Sequence, residues 1–325
     1  MAGLRGRALI AYLLVCVVWG STYLFIRIGV ADLPPFLFAG ARFLIAGLLL
    51  GGVMLATGDK LPSTRRDWIT LSITGVLFLM GANAIVVWAE QTVPSGPASV
   101  YVAAVLLWTA FIDSMVPGGK TRFTWQLGLG LLLGFAGICL LSGVRPGELL
   151  RDDLAGPIGL IFASASWASG SVLWKRRPTS TSPYVSAAVQ MVVGGGLIVL
   201  LGLALGEGPR WQFTSRSMGA LVYLILVGSI VGYTAFGYAL KYASATVVGT
   251  YAYVNPVVAV ILGWLVLDEQ VTGRMLASMA MILGAVLWIQ LSAGRTKTVA
   301  SNTGEHTVTI TGETRAETRR KVAGA

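Results

Sequence analysis

The chain has a single histidine, His306, and only two cysteines, Cys16 and Cys139. Histidine acid/base chemistry and histidine metal sites are thereby excluded from everything upstream of the C-terminal tail. Both cysteines sit inside apolar runs, which argues against a disulfide framework and a thiolate metal site. Charge is scarce too: Asp, Glu, Lys and Arg make up 12% of the residues, against about 25% in soluble domains. Nucleotide signatures are missing. Gly118-Gly119-Lys120-Thr121 imitates the end of a phosphate-binding loop, but Ser114 stands where the first glycine is needed, and the context is helix-to-loop. Asp152-Asp153 has no second acidic motif facing it and reads as a solvated loop. No cofactor is expected.

What is abundant points elsewhere. Hydrophobic residues make up 55% of the chain, with 41 glycines and a mean hydropathy of +0.75. A soluble domain cannot hide that much apolar surface, and glycine is commoner in membrane helices. A span needs about 20 apolar residues. Such runs fall at 8–29, 35–56, 69–89, 97–116, 125–143, 155–174, 184–205, 218–238, 245–267 and 273–293. The expected fold class is therefore all-α integral membrane, with ten transmembrane helices. The basic start followed by an apolar stretch imitates a signal peptide, but the stretch runs past Trp19 without a small-x-small cleavage site. The segment 294–325 is polar and charged and reads as a disordered cytoplasmic tail.

The net charge of +10 is a topological signal, because basic residues collect in cytoplasmic loops. No basic face interleaved with aromatics suggests nucleic acid. With both termini inside, cytoplasmic segments hold Arg5, Arg7, Lys60, Arg65, Arg66, Lys120, Arg122, Lys175, Arg176, Arg177, Lys241, Arg295 and Lys297. The outer side and its borders hold only Arg27, Arg145, Arg151, Arg210, Arg216 and Arg274, with acidic Glu148 and Asp152-Asp153 in one loop. The chain is expected in a cell (inner) membrane.

An internal repeat organises the runs. Trp19-Gly20-Ser21 returns as Trp167-Ala168-Ser169, Arg27 as Lys175, Pro35 as Pro183, Arg42 as Gln190 and Gly47 as Gly195, all at a spacing of 148 (19 to 167). Ala89 and Ala239, and Tyr101 and Tyr251, match at 150 (101 to 251). Five spans per half is odd, so the second half enters the membrane from the opposite side. Inverted repeats are a transporter architecture with the solute site between the halves. The expected divisions are 1–145, 155–293 and the tail.

The ordered set Trp19-Gly20-Ser21-Thr22-Tyr23, Ile26-Arg27-Ile28-Gly29-Val30, Pro34-Pro35, Ala39-Gly40-x-Arg42-Phe43-Leu44, Val93-Pro94-Ser95-Gly96, Ser166-Trp167-Ala168-x-Gly170-Ser171 and Tyr251-Ala252-Tyr253-Val254-Asn255-Pro256, with Asp268-Glu269, resembles the drug/metabolite transporter superfamily. Within it the chain is most similar to the EamA family of ten-helix exporters, over roughly 8–293. The resemblance implies a central cavity lined mainly by helices 1–4 and 6–9, with helices 5 and 10 peripheral. It also implies export of small metabolites, amino acids or drug-like molecules. In one departure, Pro256 has no counterpart at Leu106, so a hinge in helix 9 is expected to be absent from helix 4.

Several residues are candidates for solute contact. Arg42 lies well inside a span, where a charge costs at least a few kcal/mol unless paired or wetted; it either meets an anionic solute group or serves structure. Asn83 and Gln190 are amides in apolar runs that bind solute or tie helices, and Asn255 precedes a proline that frees a backbone carbonyl. Trp19 and Trp167 lie away from the interfacial belt, whereas Trp88 suits the belt. With Tyr101, Tyr251 and Tyr253 they offer aromatic faces to flat or amphipathic solutes. Glu90 is the better proton-coupling candidate beside Asp113, because Pro94-Ser95-Gly96 opens the chain next to it. Glycine pairs such as Gly47/Gly51, Gly130/Gly134 and Gly228/Gly232 read as helix packing. The expected function is a secondary transporter, an exporter of small organic solutes by alternating access. The alternative is an intramembrane enzyme acting on lipid-linked substrates, for which no catalytic dyad or paired acidic motif is visible. The expected partners are a small-molecule solute and the bilayer, and a monomer would suffice.

Overall fold

The computed structural model describes residues 6–117, 125–142, 154–242, 248, 251–285 and 287–288. The Gly118-Gly119-Lys120-Thr121 motif, Arg122, Arg145, Glu148, Arg151, Asp152, Asp153 and the segment 294–325 with His306 lie outside the described residues. Among the described residues the fold is all-helical. Its helices are α1 (Arg7–Gly29), α2 (Pro35–Ala56), α3 (Arg65–Ala89) and α4 (Ser95–Met115), and α5 (Trp125–Ser142). They continue as α6 (Ala155–Arg176), α7 (Pro183–Ala204), α8 (Ser215–Leu240), α9 (Tyr251–Leu267) and α10 (Gly273–Ala285). Seven of them, α1–α4 and α6–α8, are long and apolar enough to cross a membrane by length and composition; α5, α9 and α10 are shorter as described. Large apolar side chains point outward, among them Ile10, Leu132, Leu200, Trp264 and Leu265. In water such a surface would aggregate; in a bilayer it is solvated by lipid chains.

Helix starts follow local chemistry. Pro35 and Pro183 occupy the first turns of α2 and α7, where a missing N–H costs nothing. α3 and α8 begin earlier than their apolar runs, at Arg65 and Ser215, because Thr64 and Thr214 cap them: the Thr64 hydroxyl accepts from Asp67 N and the Thr214 hydroxyl from Ser217 N, each at 3.1 Å.

α2 and α7 cross backbone to backbone. A Cβ on Gly40 would lie 2.6 Å from Val199 N, one on Gly47 2.8 Å from Val192 N, and one on Gly195 2.5 Å from Leu44 N. Only glycine permits this approach. Carboxylates from the following loops reach across at both ends. Ser182 Oγ, at the start of α7, donates to Asp59 (2.9 Å), and Leu37 N, at the start of α2, donates to Glu207 (2.8 Å). Asp59 and Glu207 stand at the same 148-residue spacing as the repeat. Two further bonds cross between the halves with donor and acceptor exchanged: Ser180 Oγ to Asp67 (2.6 Å), and Thr214 Oγ1 to Asp32.

The repeat also appears in helix geometry. α3 contains a π-helical stretch Val76–Asn83 and α8 one at Leu224–Val231, again 148 apart (76 to 224). A π turn widens the helix, offsets its backbone bonds and is frequent at functional sites. Helix 4 lacks the proline of helix 9, as expected, yet it is not continuous. α4 is interrupted at Ala103–Ala104, between Ser95–Val102 and Val105–Met115, without proline. There the Ala104 N–H donates to Tyr101 O at 3.1 Å, three residues back. α9, by contrast, runs unbroken from Tyr251 to Leu267 with Pro256 inside it. α5 and α10 pack against each other at the periphery, where Gly137 meets Met281 and Ile282.

Candidate functional site

A cavity of about 750 Å³, counting the part that opens to solvent, lies between the two halves. α1 contributes Trp19, Thr22, Tyr23 and Ile26; α2 Arg42 and Phe43; α3 Ala82, Asn83 and Val86; and α4 Ser99, Val102, Ala103 and Val105. From the second half come Ala163 and Trp167 of α6, Gly228 and Tyr233 of α8, and Tyr251, Ala252 and Asn255 of α9. Helix 7 lines none of it, in contrast to the expectation from family resemblance.

Six of the residues singled out from the sequence meet here: Trp19, Arg42, Asn83, Trp167, Tyr251 and Asn255. The repeat mates Trp19 and Trp167 touch edge to face, ring centroids 5.4 Å apart. Phe236 and Tyr251 pack around Trp19 at 4.9 and 5.1 Å, and Phe78 against Trp167 at 4.7 Å. Aromatic quadrupoles favour such edge contacts, and the cluster forms a rigid apolar wall.

Arg42 is 3% exposed. Its Nε donates to Ser229 Oγ at 2.8 Å, its guanidinium carbon lies 4.5 Å from the Phe43 ring centroid, and Nη1 has no hydrogen-bond partner. A buried guanidinium N–H left unpaired is costly, and Arg42 borders the cavity. Asn83 Nδ2 donates to Phe78 O (3.0 Å) inside the π stretch. Asn255, with its amide nitrogen turned to the carbonyls it faces, donates to Tyr251 O (3.2 Å) and Cys16 O (3.1 Å), tying α9 to α1.

The other candidates sit elsewhere. Gln190 is fully buried behind the wall: its Nε2 donates to Thr74 Oγ1 (2.8 Å) and its Oε1 accepts from Tyr233 OH (3.0 Å). It thus holds a cavity residue without lining the cavity. Tyr101 is buried in α4 and lines no part of it. The side chain of Tyr253 lies outside the described residues. Glu90 ends α3 one turn beyond Val86, and its backbone carbonyl accepts from Arg27. Its carboxylate is fully buried with neither oxygen hydrogen-bonded. The charged groups around it are Glu269, Arg27 and Arg42. The chain beside Glu90 is not open: Ser95 starts a helix, and Ser95 N, Ser95 Oγ and Gly96 N donate to Glu269 at 2.9, 2.8 and 3.0 Å. Asp113, the weaker candidate, pairs with Arg176 at 3.4 Å near the other end of α4.

Sequence reasoning missed Tyr23, Tyr233, Ser229 and the capping carboxylates Glu207 and Glu269. Ser229 had a faint signal, since it lies between Gly228 and Gly232. That pair was read as helix packing, but it makes room for site residues. Gly228 O accepts from Trp19 Nε1 (3.2 Å), a Cβ on Gly228 would lie 3.0 Å from Arg42 Nη2, and one on Gly232 2.5 Å from Trp19 Nε1.

Comparison with known proteins agrees with this architecture. The sequence model of the EamA-like transporter family matches twice, over residues 6–143 and 154–291. The chain is 39% identical to the uncharacterized inner membrane transporter YedA of Escherichia coli (strain K12), covering 76% of this chain and 78% of that one. It is 24% identical to the uncharacterized transporter YvbV of Bacillus subtilis (strain 168), covering 93% and 96%. A solved crystal structure with 21% identity shares the fold, with a TM-score of 0.66 over 90% of this chain and 99% of that one. Ordered motifs, apolar helices around an aromatic cavity and the doubly matched family model converge: this multi-pass membrane protein belongs to the EamA-like transporter family.

Proposed function

We propose that the chain is a secondary exporter of small organic solutes, working by alternating access across an inner membrane. In this reading it crosses the membrane ten times as two inverted five-helix halves, 1–145 and 155–293, with both termini in the cytoplasm. The 148-residue spacing that relates the Trp19–Trp167 contact, the two π stretches and the Asp59 and Glu207 contacts supports it. Flat or amphipathic solutes, aromatic metabolites and amino acids among them, fit the aromatic wall. An anionic group of the solute meets Arg42, and Glu90 carries the coupling proton.

The observation that carries this reading is Arg42, a buried cation with Nη1 unpartnered, bordering a cavity walled by Trp19, Trp167 and Tyr251. A charge-assisted hydrogen bond contributes about 1.5–3 kcal/mol. Arg42→Gln should therefore weaken carboxylate solutes about tenfold or more, while neutral analogues and membrane accumulation are unchanged. The test is an efflux screen in proteoliposomes with amino acids and aromatic metabolites, with and without a proton gradient. Solute recovered chemically altered would favour an enzyme. Arg42→Gln failing to accumulate while Arg42→Lys transports normally would make Arg42 structural.

A further inference from the structure

If the two repeats were equivalent at the site, Gln190 would face the cavity as Arg42 does. It does not, and the reason lies on the helix opposite each. Arg42 and Trp19 are seated against three residues of α8, in and just after its π stretch. Ser229 Oγ accepts from Arg42 Nε at 2.8 Å. Gly228, which lines the cavity, leaves space for Arg42 Nη2 and presents its carbonyl to Trp19 Nε1. Gly232 leaves space for the Trp19 indole. At the 148-residue spacing the corresponding residues of α3 are Met80, Gly81 and Ala84. The hydroxyl acceptor is gone, and two of the three positions carry side chains where α8 has glycine. Gly81 is instead filled from α6: Ser166 Oγ packs over it and donates to Leu77 O at 2.8 Å. Gln190 turns to Thr74 and Tyr233.

We propose that Gly228, Ser229 and Gly232 form a positioning shelf that aims Arg42 and Trp19 into the cavity, so that selection for anionic solutes is set by the second repeat although the contacting cation lies in the first. This rests on the reading of Arg42 as the anion-binding group. Ser229 is a positioning residue: its oxygen fixes Nε and with it the plane of the guanidinium, whose remaining N–H groups are the donors offered to the solute. The π register matters because it brings Gly228 and Ser229, adjacent in sequence, to face the same guanidinium.

The experiment measures binding of two matched probes, phenylacetate and its neutral amide phenylacetamide, to the purified full-length protein by calorimetry. Ser229→Ala removes the acceptor, and Gly228→Ala places a methyl 3.0 Å from both Arg42 Nη2 and Thr22 Cγ2. Each should weaken phenylacetate about fivefold or more and leave phenylacetamide within about twofold, the selective loss expected when a charge-assisted bond is misaligned. Gly219→Ala, on the same helix with nothing within 4 Å, should change neither. A thermal melt accompanies each variant. Equal weakening of both probes makes the shelf a packing feature and overturns the proposal. Phenylacetate held within about twofold in both shelf variants, while Arg42→Gln weakens it, overturns positioning but leaves the anion reading intact. Normal phenylacetate binding by Arg42→Gln, or wild-type protein that does not prefer phenylacetate, refutes the anion reading, and the shelf falls with it.

Discussion

Gly195→Ala is the sharpest test of the α2–α7 crossing. The new Cβ would lie 2.5 Å from Leu44 N, 3.0 Å from Phe43 C and 3.1 Å from Gly40 O. These are backbone atoms with no rotamer to yield, and ordinary contact would need roughly 1 Å more. The helices must part, which loosens the Gly40 and Gly47 contacts beside it. Overpacking of this kind costs about 1–3 kcal/mol, a melting shift of very roughly 2–10 °C for a chain of this size. Because Phe43 and Leu44 follow Arg42 directly, the displaced segment should also weaken carboxylate solutes. Gly196→Ala is the internal control: it adds the same methyl one residue on, with nothing within 4 Å. Melting in detergent, followed by tryptophan fluorescence, reads both variants. Gly195→Ala melting within about 1 °C of wild type would refute the claim that the crossing sets helix separation, since a methyl there has no free volume to enter.

Glu90→Gln should abolish the dependence of efflux on a pH gradient while solute exchange continues; gradient-driven efflux at the wild-type level would retire Glu90 and favour facilitated diffusion. In a cysteine-free background, single cysteines replacing Lys60 and Arg210 should label from opposite sides with an impermeant reagent, and labelling from one side would sink the inverted ten-span topology. Glu207→Ala should destabilise more than Asp59→Ala, because Glu207 is buried and accepts from Leu37 N at the start of α2, whereas the more accessible Asp59 accepts only a hydroxyl from Ser182. Caps of this kind contribute about 0.5–2 kcal/mol, and paired thermal melts decide the order.

The membrane class, the helical runs and the repeat were legible from the sequence because each follows from one-dimensional regularities: apolar length, charge in the gaps and a fixed spacing. Arg42, Asn83, Asn255, Trp19 and Trp167 were legible for a related reason. A charge, an amide or a central tryptophan in an apolar run must find an internal partner or a cavity, and in this fold all five border one cavity. What the sequence left open was which of those two outcomes each polar group meets, because partners come from distant helices. Gln190 and Arg42 occupy the same repeat position, yet Thr74 and Tyr233 give both polar atoms of one amide a partner while Ser229 satisfies only part of the guanidinium. The carboxylates of Glu207 and Glu269 read as loop charges until folding brings them to helix starts some 170 residues away in the chain. The π stretches leave no hydrophobic signature at all, since they alter backbone register within an otherwise apolar run. Tertiary contact alone decided these features, for hydrogen bonding and close packing depend on where a group's neighbours stand in space and not on their order along the chain.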